Sequence, residues 1–265
     1  MTKIIAEIGW NHMGDMDLAK EMILAAKNNG ADFVKTQIFN VKYLKDGPWM
    51  NDGRREIYEK AQLTIEKYTE LRKFGEENSI AFFTSVFNTM GAEEVLKVHN
   101  DIIKIPSTES RNKELLELCS KKFDKVLVST GTSTEQELLE AKKIFDPGKV
   151  VFLHCVSAYP CDPINANLPR INFMKSLSKK YGYSDHTMGT DISKMSLGYG
   201  IDFLEKHFTT DNNLPGRDNK FAILPNELKE IVEFKEKSKE ANKFYGNDFI
   251  EAEKETREIY TGRWG

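Results

Sequence analysis

The chain has 265 residues, 40% of them hydrophobic and 30% charged, enough to bury a sizeable core without disulfides or a structural metal. A net charge of −3 draws the molecule neither to nucleic acid nor to anionic lipid, and no apolar run is long enough to cross a bilayer. Cys119, Cys155 and Cys161 lack metal-site spacing and the start, MTKIIAEIG, has no signal-peptide apolar run, so a reduced, cytoplasmic setting is expected.

Short β-rich runs alternate with stretches of helical period. Residues 4–9 (IIAEIG) lead into a helical segment at 17–29 that ends at Gly30, a residue suited to closing a helix. Residues 33–39 follow, and then a long polar connection over 40–60 containing Gly47, Pro48 and Gly53. That connection is expected to lie over one end of the fold, with Trp49 and Tyr58 either covering a site or meeting another subunit. Runs at 81–86, 102–107 and 126–131 precede a helix over 134–145, which Thr134 can cap with Glu137 three residues on. Runs at 150–157, 180–186 and 203–208 complete the set, the first followed by an irregular stretch over 159–168.

Most of the eight runs are near-continuously apolar, as parallel strands buried on both faces should be. Eight β–α pairs in this length predict an α/β fold, a single-domain (β/α)8 TIM barrel over residues 1–245. Residues 246–265 then form a tail or linker remnant. A doubly wound open sheet is the competing architecture.

Nearly every run ends in groups too polar for a core: Glu7; Lys35 and Gln37; Thr84 and Ser85; Lys104, Ser107 and Glu109; Ser129; Ser157 and Tyr159; Asp185 and His186; Glu205 and His207. Buried singly and unpaired, each would cost several kcal/mol, on the order of 2–7. Gathered round a cavity, they can pair with one another and with a ligand. Lys35 and Lys104 suit a phosphate or carboxylate, with Thr84, Ser107 and Ser129 adding hydroxyls and Gly131 opening a helix N-terminus. The alternative is structural ion pairing, Lys35 with Glu7 and Lys104 with Glu109.

His186 and His207, ending adjacent strands, are placed to share a divalent ion, Mn2+ first and Mg2+, Zn2+ or Co2+ as alternatives. Asp185, Glu205 and Asp218 could supply an oxygen ligand or support the histidines from behind. The alternative makes one histidine a hydrogen-bonded wall residue. His99 and His154 read as structural, Cys155 as core packing, and His12 as a loop cap or a ligand contact.

Taken together, AEIGWNHMGDMDLAKEMILAAKNNGADFVKTQIF, KIPSTE, LVSTG, LHCVSAYP, YSDHTMG, EKHFTTD, PGRD and LPNEL, in this order over about residues 3–245, resemble the sialic acid synthase family. The resemblance implies a metal-assisted condensation of phosphoenolpyruvate with an aldehyde sugar, in a homodimer. It implies that Lys35, Gln37, Thr84, Lys104, Ser107, Ser129 and Ser157 hold phosphoenolpyruvate or line its pocket. His186 and His207 match the family's metal ligands and Glu109 its carboxylate near the reacting carbons. Glu7 and Tyr159 match positions facing the sugar, and Asp218 matches an acidic position after the last strand.

Three segments depart from the family pattern: Met13 replaces its usual Asn, PGPDH becomes PGRDN, and KIASGE becomes KIPSTE. The chain is also expected to end where a linker to the family's small C-terminal domain would begin. Two rival readings remain open: a synthase making a 3-deoxy sugar acid from a phosphorylated aldose, and a non-catalytic sugar-sensing or scaffold subunit.

Overall fold

The computed structural model describes residues 2–265. Its eight strands are β1 (Lys3–Gly9), β2 (Phe33–Ile38), β3 (Ala81–Val86), β4 (Ile102–Ile105), β5 (Lys125–Ser129), β6 (Val150–Cys155), β7 (Lys180–Asp185) and β8 (Phe203–His207). All pair in parallel with their chain neighbours, and β8 returns to β1, with Lys3 opposite Phe203 and Glu7 opposite His207. The sheet is therefore the expected closed (β/α)8 barrel in one domain, and the open-sheet alternative falls away.

Alternation along each strand divides the apolar residues into two bodies. Ile5, Phe83, Ile102, Leu127, Val151, Leu153 and Phe203 fill the lower barrel. Their sequence neighbours, among them Ile4, Phe82, Ile103, Val126 and Leu204, pack outward against the helices. This is why the runs read as continuously apolar: both faces are dry.

The helix signals work as read. α1 (Met16–Asn28) starts where the Asp15 carboxylate accepts from the N–H groups of Asp17 and Leu18. At a later helix, Glu135–Lys142, Thr134 and Glu137 bond each other's backbone N–H groups at 3.3 and 2.8 Å. The long connection over 40–60 carries two short 3-10 turns and the start of a helix, Arg54–Ala61. Its Tyr58 ring meets Trp10 at 5.2 Å, whereas Trp49 folds back to donate to the Lys45 carbonyl. The last barrel helix, Pro225–Ala241, is followed by residues 242–265, which are exposed throughout and include a short helix, Lys254–Tyr260.

Gly182 marks where the lower barrel has no spare volume. A methyl there would stand 2.3 Å from the Phe203 carbonyl oxygen and 2.5 Å from Leu153 Cδ2. Gly182→Ala is expected to lower stability by about 1–3 kcal/mol, a melting-temperature fall of roughly 2–12 °C. An unchanged thermal unfolding curve would contradict this packing.

Candidate active site

Above the apolar plug, the inward positions of the strands become polar, and their register decides which polar residues meet. Lys35 on β2 lies 2.6 Å from Glu7 Oε2 and donates to Ser85 Oγ at 2.7 Å. Glu7 also accepts from the Gln37 amide at 2.7 Å. Across the barrel, Lys104 grips both oxygens of Glu205, at 2.6 and 2.7 Å, and Ser184 donates to Oε1 of the same carboxylate. Glu205 Oε2 is 3.8 Å from Lys35, which links the two pairs into one array of alternating charge.

All four charged groups are at most 5% exposed. Burial opposes charge on each of them, and the outcome depends on the neighbours. Glu205 faces both lysines, which overcome burial and hold it at about 2. Burial wins at Glu7, whose carboxyl is raised despite Lys35, and at Lys104, whose ammonium is lowered despite Glu205.

On the β4–β6 side, hydroxyls converge on Gly131. Its N–H donates to Ser107 Oγ at 3.1 Å, and a methyl in its place would stand 2.3 Å from Ser157 Oγ. The Ser129 and Ser157 hydroxyls are buried without a hydrogen bond that meets normal geometry among the described residues. Cys155 lies beneath them, its Sγ 3.4 Å from Ser107 Oγ and 3.7 Å from His186 Nδ1.

Over the charged array, the rings of His186 and His207 lie 5.4 Å apart. His186 Nδ1 is 2.8 Å from the Val156 carbonyl, which fixes the proton there and leaves Nε2 as the free lone pair. Burial holds His207 well below the usual histidine range, and its Nδ1 is buried without a hydrogen bond among the described residues. Asp218 Oδ2 lies 3.9 Å from that nitrogen and accepts from the Trp10 indole N–H at 2.7 Å. Tyr159 lies against His186, and Phe221 against His207, at ring separations of 4.3 and 5.1 Å.

The array thus joins Glu7, Lys35, Gln37 and Lys104; Ser107, Ser129 and Ser157 gather at Gly131; and Tyr159, His186, His207 and Asp218 stand together above. Two expectations need correction. Thr84 points the other way, in phase with the outward Phe82 and Val86, and its hydroxyl donates to the Thr36 and Ser85 carbonyls. Ser85 is the inward residue of β3. Glu109 is bonded to neither lysine: it is half-buried in the 3-10 turn after β4 and accepts from the Asn112 side chain at 3.0 Å. Lys104 pairs with Glu205 instead.

Ser184, Cys155 and Trp10 are the residues that the expected site lacks, while Ser85 and Glu205, expected only as polar strand ends or a support for the histidines, are the partners of the lysines. Phase along the strand could have found Glu205 and Ser184, each standing two residues before a histidine. Asp185, by contrast, points out of the barrel to pair with Lys206 at 2.9 Å.

The remaining histidines are structural. His99 bonds the Tyr68 hydroxyl at 2.6 Å, His154 bonds the Ala166 carbonyl at 2.8 Å, and His12 Nδ1 accepts from the Gly14 N–H at 3.0 Å. Burial lowers both His12 and His154 to about 4. The unfolded chain protonates them near 6.5, so between pH 6.5 and 4 it binds more protons than the folded one. Stability should be full above that window and fall as pH drops through it, by an amount on the order of 3 kcal/mol for each histidine. Urea midpoints at pH 7.5 and 4.5 measure this; an equal or higher midpoint at pH 4.5 would contradict it.

A closed parallel barrel whose buried charges, buried hydroxyls and paired imidazoles gather at the C-terminal strand ends defines an α/β-barrel enzyme. The NeuB family model matches residues 22–247, and the chain belongs to that family. It is 34% identical over 245 residues to N,N'-diacetyllegionaminic acid synthase of Campylobacter jejuni, covering 86% of this chain and 73% of the relative. Human N-acetylneuraminate-9-phosphate synthase is 33% identical over 247 residues, covering 86% of this chain and 68% of the relative. The N-acetylneuraminic acid (sialic acid) synthetase of Leptospira borgpetersenii serovar Hardjo-bovis, solved in complex with citrate, superposes with a TM-score of 0.88 at 30% identity. That match covers all of this chain and 93% of the other.

Proposed function

We propose that the protein condenses phosphoenolpyruvate with the open-chain aldehyde of a sugar, giving a nonulosonate-type 3-deoxy-2-keto sugar acid and phosphate. The observation that carries this reading is the convergence of buried charged and polar groups at the C-terminal strand ends. Two buried lysines and the Ser129 and Ser157 hydroxyls stand beneath a pair of imidazoles, so an anion and an aldehyde can be held face to face. The relatives named as synthases of N-acetylneuraminate-9-phosphate and N,N'-diacetyllegionaminic acid support the same reading.

In the reaction, carbon 3 of phosphoenolpyruvate forms a bond to the aldehyde carbon, whose oxygen takes a proton. Water adds at carbon 2, and the tetrahedral intermediate expels phosphate to leave the keto acid. Lys35 and Lys104 meet the phosphate and carboxylate charges, and the Ser107, Ser129 and Ser157 hydroxyls with the Gly131 N–H fix their orientation. Glu7, with its raised pKa, stands as the proton carrier at the same level of the barrel. Much of the rate comes from holding both substrates in register.

His186 and His207 would hold a divalent ion, Mn2+ by preference, which supplies Lewis-acid polarisation of the aldehyde oxygen when bound. Their chemistry fits: His186 has Nε2 free by tautomer, His207 is neutral, and no third His, Cys, Asp or Glu joins them as a metal-holding group among the described residues. Oxygen atoms of substrate or water would complete such a shell.

The test is phosphate release from phosphoenolpyruvate with Mn2+ and a panel of N-acyl-mannosamine-type and simple aldoses. Release that requires both the aldose and the metal is expected. No release with any aldose, despite bound metal, would favour the non-catalytic subunit.

A further inference from the structure

The loop between β1 and α1 carries one large aromatic side chain, Trp10, and the fold brings it to Asp218, beside His207. Gly9 ends β1 with φ +48, a left-handed turn suited to glycine, and its carbonyl is fixed by the Thr36 hydroxyl at 2.7 Å. Trp10 comes next, half-buried, with its N–H on Asp218 Oδ2.

This bond is not needed to hold the loops together. Asn11, fully inside, already donates to the Phe208 carbonyl at 2.9 Å, and its own carbonyl accepts from Asn219 at 3.1 Å. What the Trp10 bond does is fix one carboxylate oxygen, the one facing His207, and leave Oδ1 without a protein donor among the described residues.

The ring has its own setting. Trp10 packs on Tyr58 at 5.2 Å, Tyr58 on Phe39 at 5.9 Å, and Phe39 on Phe87 at 6.2 Å, a continuous aromatic wall leading away from the histidines. The arginines of the adjoining loop are already held by acids, Arg54 by Asp52 at 2.8 Å and Arg55 by Glu59 at 2.9 Å. Aromatic faces of this kind suit the C–H surfaces of a sugar, with a few polar groups setting its orientation.

We infer that Trp10 is a positioning and acceptor-specificity residue: its N–H sets Asp218 for an acceptor hydroxyl, and its ring, backed by Tyr58, is the wall for the acceptor's uncharged carbon chain. The inference rests on the condensation proposed above. The aldehyde end lies at the imidazoles, and the rest of the sugar runs along Trp10.

Steady-state kinetics of Trp10→Phe and Tyr58→Ala, with both substrates varied, test it. Trp10→Phe keeps a ring and loses the donor, so the acceptor KM should rise about tenfold while the phosphoenolpyruvate KM stays within about twofold. Tyr58→Ala should raise the acceptor KM severalfold in the same one-sided way. An equal rise in both KM values, or a fall in kcat with the acceptor KM unchanged, overturns the assignment. Tryptophan fluorescence reads binding without turnover, since Trp49 and Trp264 remain in the variant. An N-acyl aldose added with phosphoenolpyruvate should quench the wild type and leave Trp10→Phe unaltered; quenching of both alike, or of neither, overturns the assignment. Absence of phosphate release in the wild type would sink the condensation reading alone, because the fluorescence comparison still decides whether a sugar meets Trp10.

Discussion

Glu205→Ala is expected to cost about 3–5 kcal/mol of stability, the usual penalty for leaving a buried charge without its partner. Among the described residues its carboxylate is the one anion bonded to Lys104, and it also faces Lys35, in a space where every member is at most 5% exposed. Without it, two ammonium groups share Glu7. Lys104, already lowered by burial, would then shed its proton to relieve the repulsion. The variant should lose stability and affinity for phosphoenolpyruvate together, because a neutral Lys104 no longer meets an anion. Glu205→Gln, which keeps the shape and removes the charge, should lose affinity with less unfolding. Denaturant midpoints and phosphoenolpyruvate titrations measure both effects. A Glu205→Ala variant within about 1 kcal/mol of wild type that binds normally would contradict the array as the organiser of the site.

His207→Ala should separate stability from activity. The ring makes no hydrogen bond through Nδ1 among the described residues, so its removal breaks no bonded pair and any loss of stability should be confined to its packing on Phe221 and Tyr159. Turnover should fall at least a thousandfold, because one of two imidazoles available to a metal is lost and polarisation of the aldehyde is worth several kcal/mol, about 4 at that factor. Equilibrium dialysis against Mn2+ should show binding weakened in parallel. Unchanged turnover would remove His207 from the chemistry.

These residues also mark how far the sequence could be read. The barrel was legible because parallel strands dry on both faces leave continuous apolar runs, and the helix at 135–142 because its cap is local. The histidine pair was legible because adjacent strands end at corresponding positions. What the sequence hides is phase and cross-barrel partnership. Thr84 and Ser85 are adjacent and both hydroxylic; only the pairing of Lys35 with the inward face of β3 selects Ser85. Lys104 has Glu109 five residues away, yet its partner comes from β8, 101 residues on. Cys155, within a mostly apolar run and next to Val156, looks like packing until β6 is seen to turn it toward Ser107 and His186. The family pattern likewise marks Trp10 only as a loop residue, and its bond to Asp218 closes over 208 positions.

The central claim is that carbon 3 of phosphoenolpyruvate is joined to an aldose while the C–O bond at carbon 2 breaks. Phosphoenolpyruvate labelled with oxygen-18 in its bridging position, incubated with the protein, Mn2+ and an N-acyl aldose, tests this most directly by mass spectrometry. The expected product is a sugar acid three carbons longer than the aldose and free of label, with all oxygen-18 in the released phosphate. A sugar acid that retains the label, or phosphate released with no elongated sugar, would contradict it.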